Sequence, residues 1–144
     1  MIFKFNQSKF SDIYNHLKHC DKYFTPFLSS YVNLNTYSKK LQNNTDRFEY
    51  WSNQKLIGLL AIYKRANTNS VFITNMSLIN SFFAKGYANN LINKAVLFYK
   101  DVGFSKIDLE VNISNIRAIK FYSKNMFNIK SSEGKKILMR RYLR

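Results

Sequence analysis

The chain is poor in the residues that punctuate or staple a fold: one cysteine, one proline and four glycines in 144 residues. A single thiol, Cys20, can close no internal disulfide and build no multi-cysteine metal site, so it reads as a small apolar filler near a helix end. With Pro26 the only proline, and with no repeat, low-complexity tract or linker, one continuous domain over 1–144 is expected. No window reaches the roughly 18 uninterrupted apolar residues of a membrane span. The first ten residues, MIFKFNQSKF, have lysine among their apolar positions and no run of signal-peptide length. The expectation is a soluble cytoplasmic protein without a membrane partner.

Acidic residues are also scarce: eight Asp and Glu against 23 Lys and Arg, a net charge of +15. Such a balance invites a nucleic-acid reading, because clustered cations neutralise phosphates and release counterions. Three features weigh against it. Lysine greatly outnumbers arginine, the better fork for phosphate and base edges. The cations are scattered, with short pairs such as Lys39-Lys40 and Arg140-Arg141 and no block of five or six. Richness in Asn, Ile, Phe, Tyr and Lys also follows A/T-rich codons. The same positive field serves an anionic small molecule equally well.

What is present is alternation and helical spacing. Ile2 to Phe5 fits a first strand, and Phe10, Ile13, Tyr14 and Leu17 fit a helix that Ser8 or Ser11 could cap. His16 and His19 lie three apart on that helix; with no third ligand in view they read as surface or half-buried side chains, and no metal is expected. A second short helix is expected from Thr36 to Gln42, capped by Asn35. Arg47 to Ser52, Leu56 to Tyr63 and Val71 to Leu78 then read as consecutive strands, the first two joined by a turn at Asn53-Gln54. Ser131 to Gly134 reads as the turn of a closing hairpin.

From Ala88, apolar residues at Leu91, Ile92, Ala95, Val96 and Tyr99 mark one helix face, ended by Gly103 as a left-handed cap. The loop Phe83-Ala84-Lys85-Gly86 therefore delivers the chain to a helix start. Free helix amides and the positive end of the macrodipole favour an anion there. Gly86 and Ala88 are small enough for close approach, and Lys85 adds a charge.

Lys106 to Val111 alternates again, placing Ile107, Leu109 and Val111 on one face and Asp108 and Glu110 on the other. A solvated strand face is one account of the two carboxylates; the other is that Glu110 looks into a cleft as a general base. Ser114 or Asn115 then caps a second helix, with Ala118, Ile119 and Tyr122 on one face. The Tyr122 phenol, with an ordinary pKa near about 10, suits a proton donor to a leaving thiolate.

Leu78 to Phe127 resembles the cofactor-binding half of the GCN5-related N-acetyltransferases. Their Gln/Arg-x-x-Gly-x-Gly/Ala pattern falls on Phe83-Ala84-Lys85-Gly86-Tyr87-Ala88. Their second pattern, Asn followed by Ala-Ile and a Phe/Leu-Tyr pair, falls on Asn115 to Tyr122. Leu109-Glu110-Val111, with Tyr122 twelve residues beyond Glu110, is similar to the bacterial ribosomal-protein alanine N-acetyltransferase branch.

The resemblance implies an α/β (α+β) fold: a mixed, mostly antiparallel sheet of six to seven strands with about four helices, splayed between strands four and five. It implies acetyl-CoA as co-substrate and no metal. Met76, Ser77 and Leu78 would pair with the pantetheine arm, and one amide there would steady the developing oxyanion. Ala84, Lys85, Gly86, Tyr87, Ala88 and Asn89 would hold the pyrophosphate, and Asn115 would reach the arm. In that branch the Glu is the base and the Tyr the acid, here Glu110 and Tyr122.

Val71 to Leu78 has no acidic residue where many members keep their base, which leaves Glu110. Phe83 replaces the usual Gln or Arg, so weakened acetyl-CoA affinity is expected. Met126 occupies the place of a family glycine, so Asn125 is expected to turn left-handed. The acceptor expected is a primary amine of a small molecule or amino sugar, its wall built from Tyr23, Phe24, Phe27, Tyr31 and the segment 37–48. Alternatives are a protein N-terminal or lysine acetyltransferase, and a catalytically inactive basic RNA- or ribosome-associated module on the same fold. A homodimer is left open.

Overall fold

The computed structural model describes all residues, Met1–Arg144. Its elements are β1 (Ile2–Phe5), α1 (Phe10–Cys20), α2 (Leu34–Asn44), β2 (Asp46–Ser52), β3 (Lys55–Lys64), β4 (Ser70–Leu78), α3 (Tyr87–Val102), β5 (Lys106–Asn112), α4 (Ile116–Lys124), β6 (Asn128–Glu133) and β7 (Lys136–Tyr142). They form one seven-stranded sheet in the order β1-β2-β3-β4-β5-β7-β6. Every neighbouring pair is antiparallel except β4 and β5.

Strand alternation distributes the core over both faces. Ile13, Leu17 and Leu41 of α1 and α2 pack on Trp51, Leu56, Leu59 and Ala61. On the other face Leu91, Ile92 and Tyr99 of α3, with Tyr122 of α4, pack on Phe48, Leu60, Ile62, Ile107 and Leu109. Each such fully buried side chain contributes about 1.5–3 kcal/mol relative to leaving it in water. β3 is buried on both faces, which is why its sequence reads as an unbroken apolar run. The Asn53-Gln54 turn has φ of 50° and 63°, the two left-handed residues that a two-residue hairpin loop requires. Gly103 ends α3 at φ 105°, donating to the Tyr99 and Lys100 carbonyls.

Three helix ends differ from expectation. At α1 the N-cap is Lys9, whose amide donates to Asp12 at 2.9 Å. Ser8 is instead buried, its amide and hydroxyl both donating to Glu49. At α2 the cap is Asn33, still extended and able to accept from the Thr36 amide at 3.0 Å, whereas Asn35 is already inside the helix. After α4 the left-handed residue is Met126, at φ 69°, and Asn125 stays at φ −94°. Asn125 is held by its own bonds: its Nδ2 donates to Phe121 O and to Asn89 Oδ1, both at 2.9 Å. The reversal therefore moves one residue on, at a cost of about 1–2 kcal/mol for a non-glycine residue.

Candidate active site

β4 and β5 stay in register only from Ser70/Lys106 to Ile73/Leu109. Beyond that the strands separate. A register shift against β3 falls between Ile73 and Asn75, leaving Thr74 as the extra residue of a bulge. The Tyr37 hydroxyl donates to the Thr74 carbonyl at 2.8 Å and fixes that bend from α2. From there to Leu78 the β5-facing edge of β4 has no strand beside it, so its backbone groups are open to a ligand.

A cavity of about 300 Å³ lies in the gap. Met76, Ser77, Leu78, Ala84, Gly86, Tyr87, Ala88, Asn89 and Asn115 all line it, together with Tyr122. Lys85 does not; its ammonium sits 5.8 Å from the centre of the Phe82 ring. Of the expected acceptor wall, Tyr23 and Phe24 reach the cavity. Cys20, Arg117 and Phe121 also line it and were missed. Phe121 was legible, since it follows Ala118 by three on the helix face of Asn115 and Tyr122; Cys20 carried no such signal.

The loop into α3 turns through two left-handed residues. Ala84 and Gly86 are left-handed, at φ 60° and 85°, and Gly86 begins α3 without a side-chain cap. The first intrahelical bond runs from Asn90 N to Gly86 O, so the amides of Tyr87, Ala88 and Asn89 face the cavity end as free donors. Asn115 caps α4 through Oδ1, accepting from Ala118 N at 3.1 Å.

Tyr122 is buried, its ring edge-on to Phe121 and Phe127. Burial pushes its phenol pKa well above the ordinary value, so it holds its proton throughout the neutral range.

Glu110 stands elsewhere. Its strand neighbours Leu109 and Val111 enter the α3/α4 core, so Glu110 emerges on the face of α1 and α2, exposed at the edge of a recess with Arg65, Ser131, Glu133 and Lys136. The acid candidate thus lines the cavity, whereas the base candidate stands outside it on the opposite face of β5, one residue past the paired stretch. Asp108 shares the Glu110 face but is fully buried, held by Arg65 at 3.2 Å and by Arg140 at 2.7 and 3.0 Å.

His16 overturns the expectation of a surface or half-buried side chain. It is buried, with Nδ1 3.0 Å from Leu56 O and Nε2 2.8 Å from Ser77 Oγ. The carbonyl can only accept, so Nδ1 carries the proton. Burial lowers the pKa to about 4, and the neutral ring ties α1 to β3 and β4. Cys20 lies 3.8 Å from Nε2, and burial pushes its thiol up to about 12, leaving it a neutral filler. No group of three or more His, Cys, Asp or Glu side chains is placed to hold a metal ion. No helix is long and apolar enough to cross a membrane.

The family model described as the acetyltransferase (GNAT) family matches residues 10–126, most of the chain. The chain belongs to the GNAT acetyltransferase family. A search of curated proteins finds no match. Among solved structures, the GNAT fold recurs in the PaiA N-acetyltransferase of Thermoplasma acidophilum in complex with coenzyme A. That protein is 14% identical, with 99% of each chain covered and a TM-score of 0.76. The ribosomal-protein-S18-alanine N-acetyltransferase of Escherichia coli is also 14% identical, covering 99% of this chain and 94% of its own, with a TM-score of 0.76. A Bacillus subtilis acetyltransferase in complex with CoA is 18% identical over 98% and 97%, with a TM-score of 0.74. At these identities the likeness establishes the GNAT fold, and family membership rests on the sequence match.

Proposed function

We propose that this GNAT enzyme uses acetyl-CoA to acetylate a primary amine of a small molecule or amino sugar, with Glu110 as base and Tyr122 as acid. The observation that carries the reading is the cavity in the β4/β5 gap, which has an open strand edge along one side, an uncapped helix start at one end and a buried tyrosine in its wall. Those features fit acetyl-CoA: apolar walls and strand amides for the pantetheine arm, free helix amides and surplus positive charge for its phosphates. When bound, acetyl-CoA supplies an activated acetyl thioester.

Met76, Ser77 and Leu78 orient the arm through their backbone, and Asn115 closes on it from α4. Gly86, Tyr87, Ala88 and Asn89 bind the pyrophosphate. An alkyl ammonium has a pKa near about 10.4 and must lose a proton before its nitrogen can attack. Glu110 Oε takes that proton on the acceptor face of the gap, directly or through a water. Tyr122 Oη, protonated because it is buried, gives its proton to the departing sulfur on the other face.

The disposition of carboxylates supports an amine acceptor. Asp12, Asp21, Asp46, Glu49 and Asp108 are all engaged by hydrogen bonds within the protein. Asp101, Glu110 and Glu133 are the remainder of the eight, and Glu110 and Glu133 border the same recess. Arg65 and Lys136 share that recess, Arg65 already paired with Asp108, so its charges balance on a molecule that elsewhere repels a cation. The test is an amine panel read by release of the coenzyme A thiol, in wild type and Tyr122→Phe; release that persists unchanged in the variant removes Tyr122 from the reaction.

One observation favours a second reading, a basic RNA- or ribosome-associated module. Lys130, Arg140 and Arg144 gather over the Tyr142 ring at 4.9, 6.0 and 5.2 Å, a positive surface at the end of β7. Melting with acetyl-CoA or with RNA separates the two, since a ligand at about 100 times its Kd stabilises by ~2.7 kcal/mol. A salt-sensitive RNA shift without an acetyl-CoA shift would replace the enzyme reading.

A further inference from the structure

Arg117 stands on the first turn of α4 and lines the cavity opposite the loop that leads into α3. Its guanidinium carbon lies 4.5 Å from the centre of the Phe83 ring, and Phe83 is itself braced edge-on by Tyr23 at 5.6 Å. The ion pairs of the molecule are Arg47 with Glu49, and Arg65 and Arg140 with Asp108. Arg117 has no carboxylate partner. A guanidinium stacked on an aromatic face is held by the ring and keeps its five in-plane N–H donors free.

The position of these donors decides what they are for. Phe83 precedes the left-handed Ala84 and Gly86, and so stands beside the free amides that begin α3. At position 83 the chain has a residue with no donor at all, and across the gap the nearest lining cation rests on that residue's face. We propose that Arg117, positioned by stacking on Phe83, is a phosphate-binding side chain for acetyl-CoA, supplying from α4 the charge that position 83 cannot. The aromatic at 83 is then a platform, and the weakened affinity expected from its lack of a donor is offset. The proposal rests on the acetyl-CoA reading above and adds a residue to it.

The experiment is calorimetric titration of acetyl-CoA into the full chain at several salt concentrations, with no acceptor present. Arg117→Ala is expected to bind about 10–100-fold more weakly, the range for losing hydrogen bonds to a charged group, with a shallower dependence on salt because one fewer cation meets the phosphates. Phe83→Leu should lose a smaller factor. Phe83→Arg introduced into Arg117→Ala should recover most of the affinity, which a merely structural role for Arg117 would not allow. Wild-type affinity in Arg117→Ala, or a loss that leaves the salt dependence unchanged and is not recovered by Phe83→Arg, overturns the proposal. No binding of acetyl-CoA to the wild-type chain overturns the cofactor reading beneath it.

Discussion

At the closed end of the β4–β5 pair, Ser70 to Ile73 lie in register with Lys106 to Leu109, and the polar residue there, Asp108, is fully buried between Arg65 and Arg140. At the open end, two residues further along β5, Glu110 is exposed and unpaired, and β4 faces a cavity instead of a strand. The two carboxylates share one face of one strand and have opposite lives. At the closed end Arg65, just past β3, and Arg140 of β7 neutralise Asp108; at the open end Glu110 lies opposite the apolar Leu138 of β7 and is left to solvent and to whatever enters. The contrast predicts that stability concentrates at one end and chemistry at the other.

Breaking the open end should give the largest effects, and on turnover alone. Tyr122→Phe removes the proposed proton donor and should lower turnover by about 10²–10⁴-fold with acetyl-CoA affinity little changed, measured by thiol release beside calorimetry. Glu110→Gln should lower turnover by about 10²–10³-fold, while its melting temperature stays within about 0.5 kcal/mol equivalent of wild type, as for an exposed site. A Glu110→Gln protein that melts early would mean that the open end is structural after all.

Breaking the closed end should do the reverse. Asp108→Ala strands two arginines, and losing one partner of a buried pair costs about 3–5 kcal/mol. Because Arg65 and Arg140 are 33% and 21% exposed, the lower figure applies, lowering Tm by about 6–12 °C in a scanning calorimeter.

A comparable effect comes with pH. The folded chain holds His16 neutral down to about pH 4, while the unfolded chain takes up a proton near 6.5. The depressed folded value means that stability is complete above about pH 6.5 and is lost as pH falls toward 4, on the order of 3 kcal/mol in all. His16→Gln should flatten that part of the stability profile, although other groups will continue to titrate.

The smallest effect sharpens the cradle. Gly86 has space for a Cβ but sits at φ 85°, so Gly86→Ala should cost about 1–2 kcal/mol of stability and weaken acetyl-CoA binding by moving the first α3 amides. An unchanged melting temperature would show that the cradle relaxes freely.

Much of this was legible from local pattern. Alternation identified β2 and β5, and apolar runs between turn residues identified β3 and β4; the 3–4 spacing from Ala88 to Tyr99 identified α3; and Gly103 marked its end, because each signal depends only on neighbours in sequence. The caps of α1 and α2 were misplaced by a residue or two, since several Ser and Asn residues compete and Glu49, a strand away, claims Ser8. The shift of the left-handed turn from Asn125 to Met126 depended on Asn89, 36 residues upstream. Arg117 and Cys20 entered the cavity through the packing of α4 and α1, which no local spacing encodes.

The amino-acid sequence by itself determined the periodicities, the small-residue turn before α3 and the twelve-residue separation of Glu110 from Tyr122. The motif resemblance assigned those features to the GNAT family. Only the tertiary structure decided where β4 and β5 part, and that Tyr122 lines the gap while Glu110 stands outside it on the opposite face of β5. It also decided that Asp108 is neutralised while Glu110 is free, and that His16 is a buried tie. The reason is physical: alternation tells which face of a strand a side chain takes, but the partners on that face come from distant segments, and those partners set its charge, burial and reach.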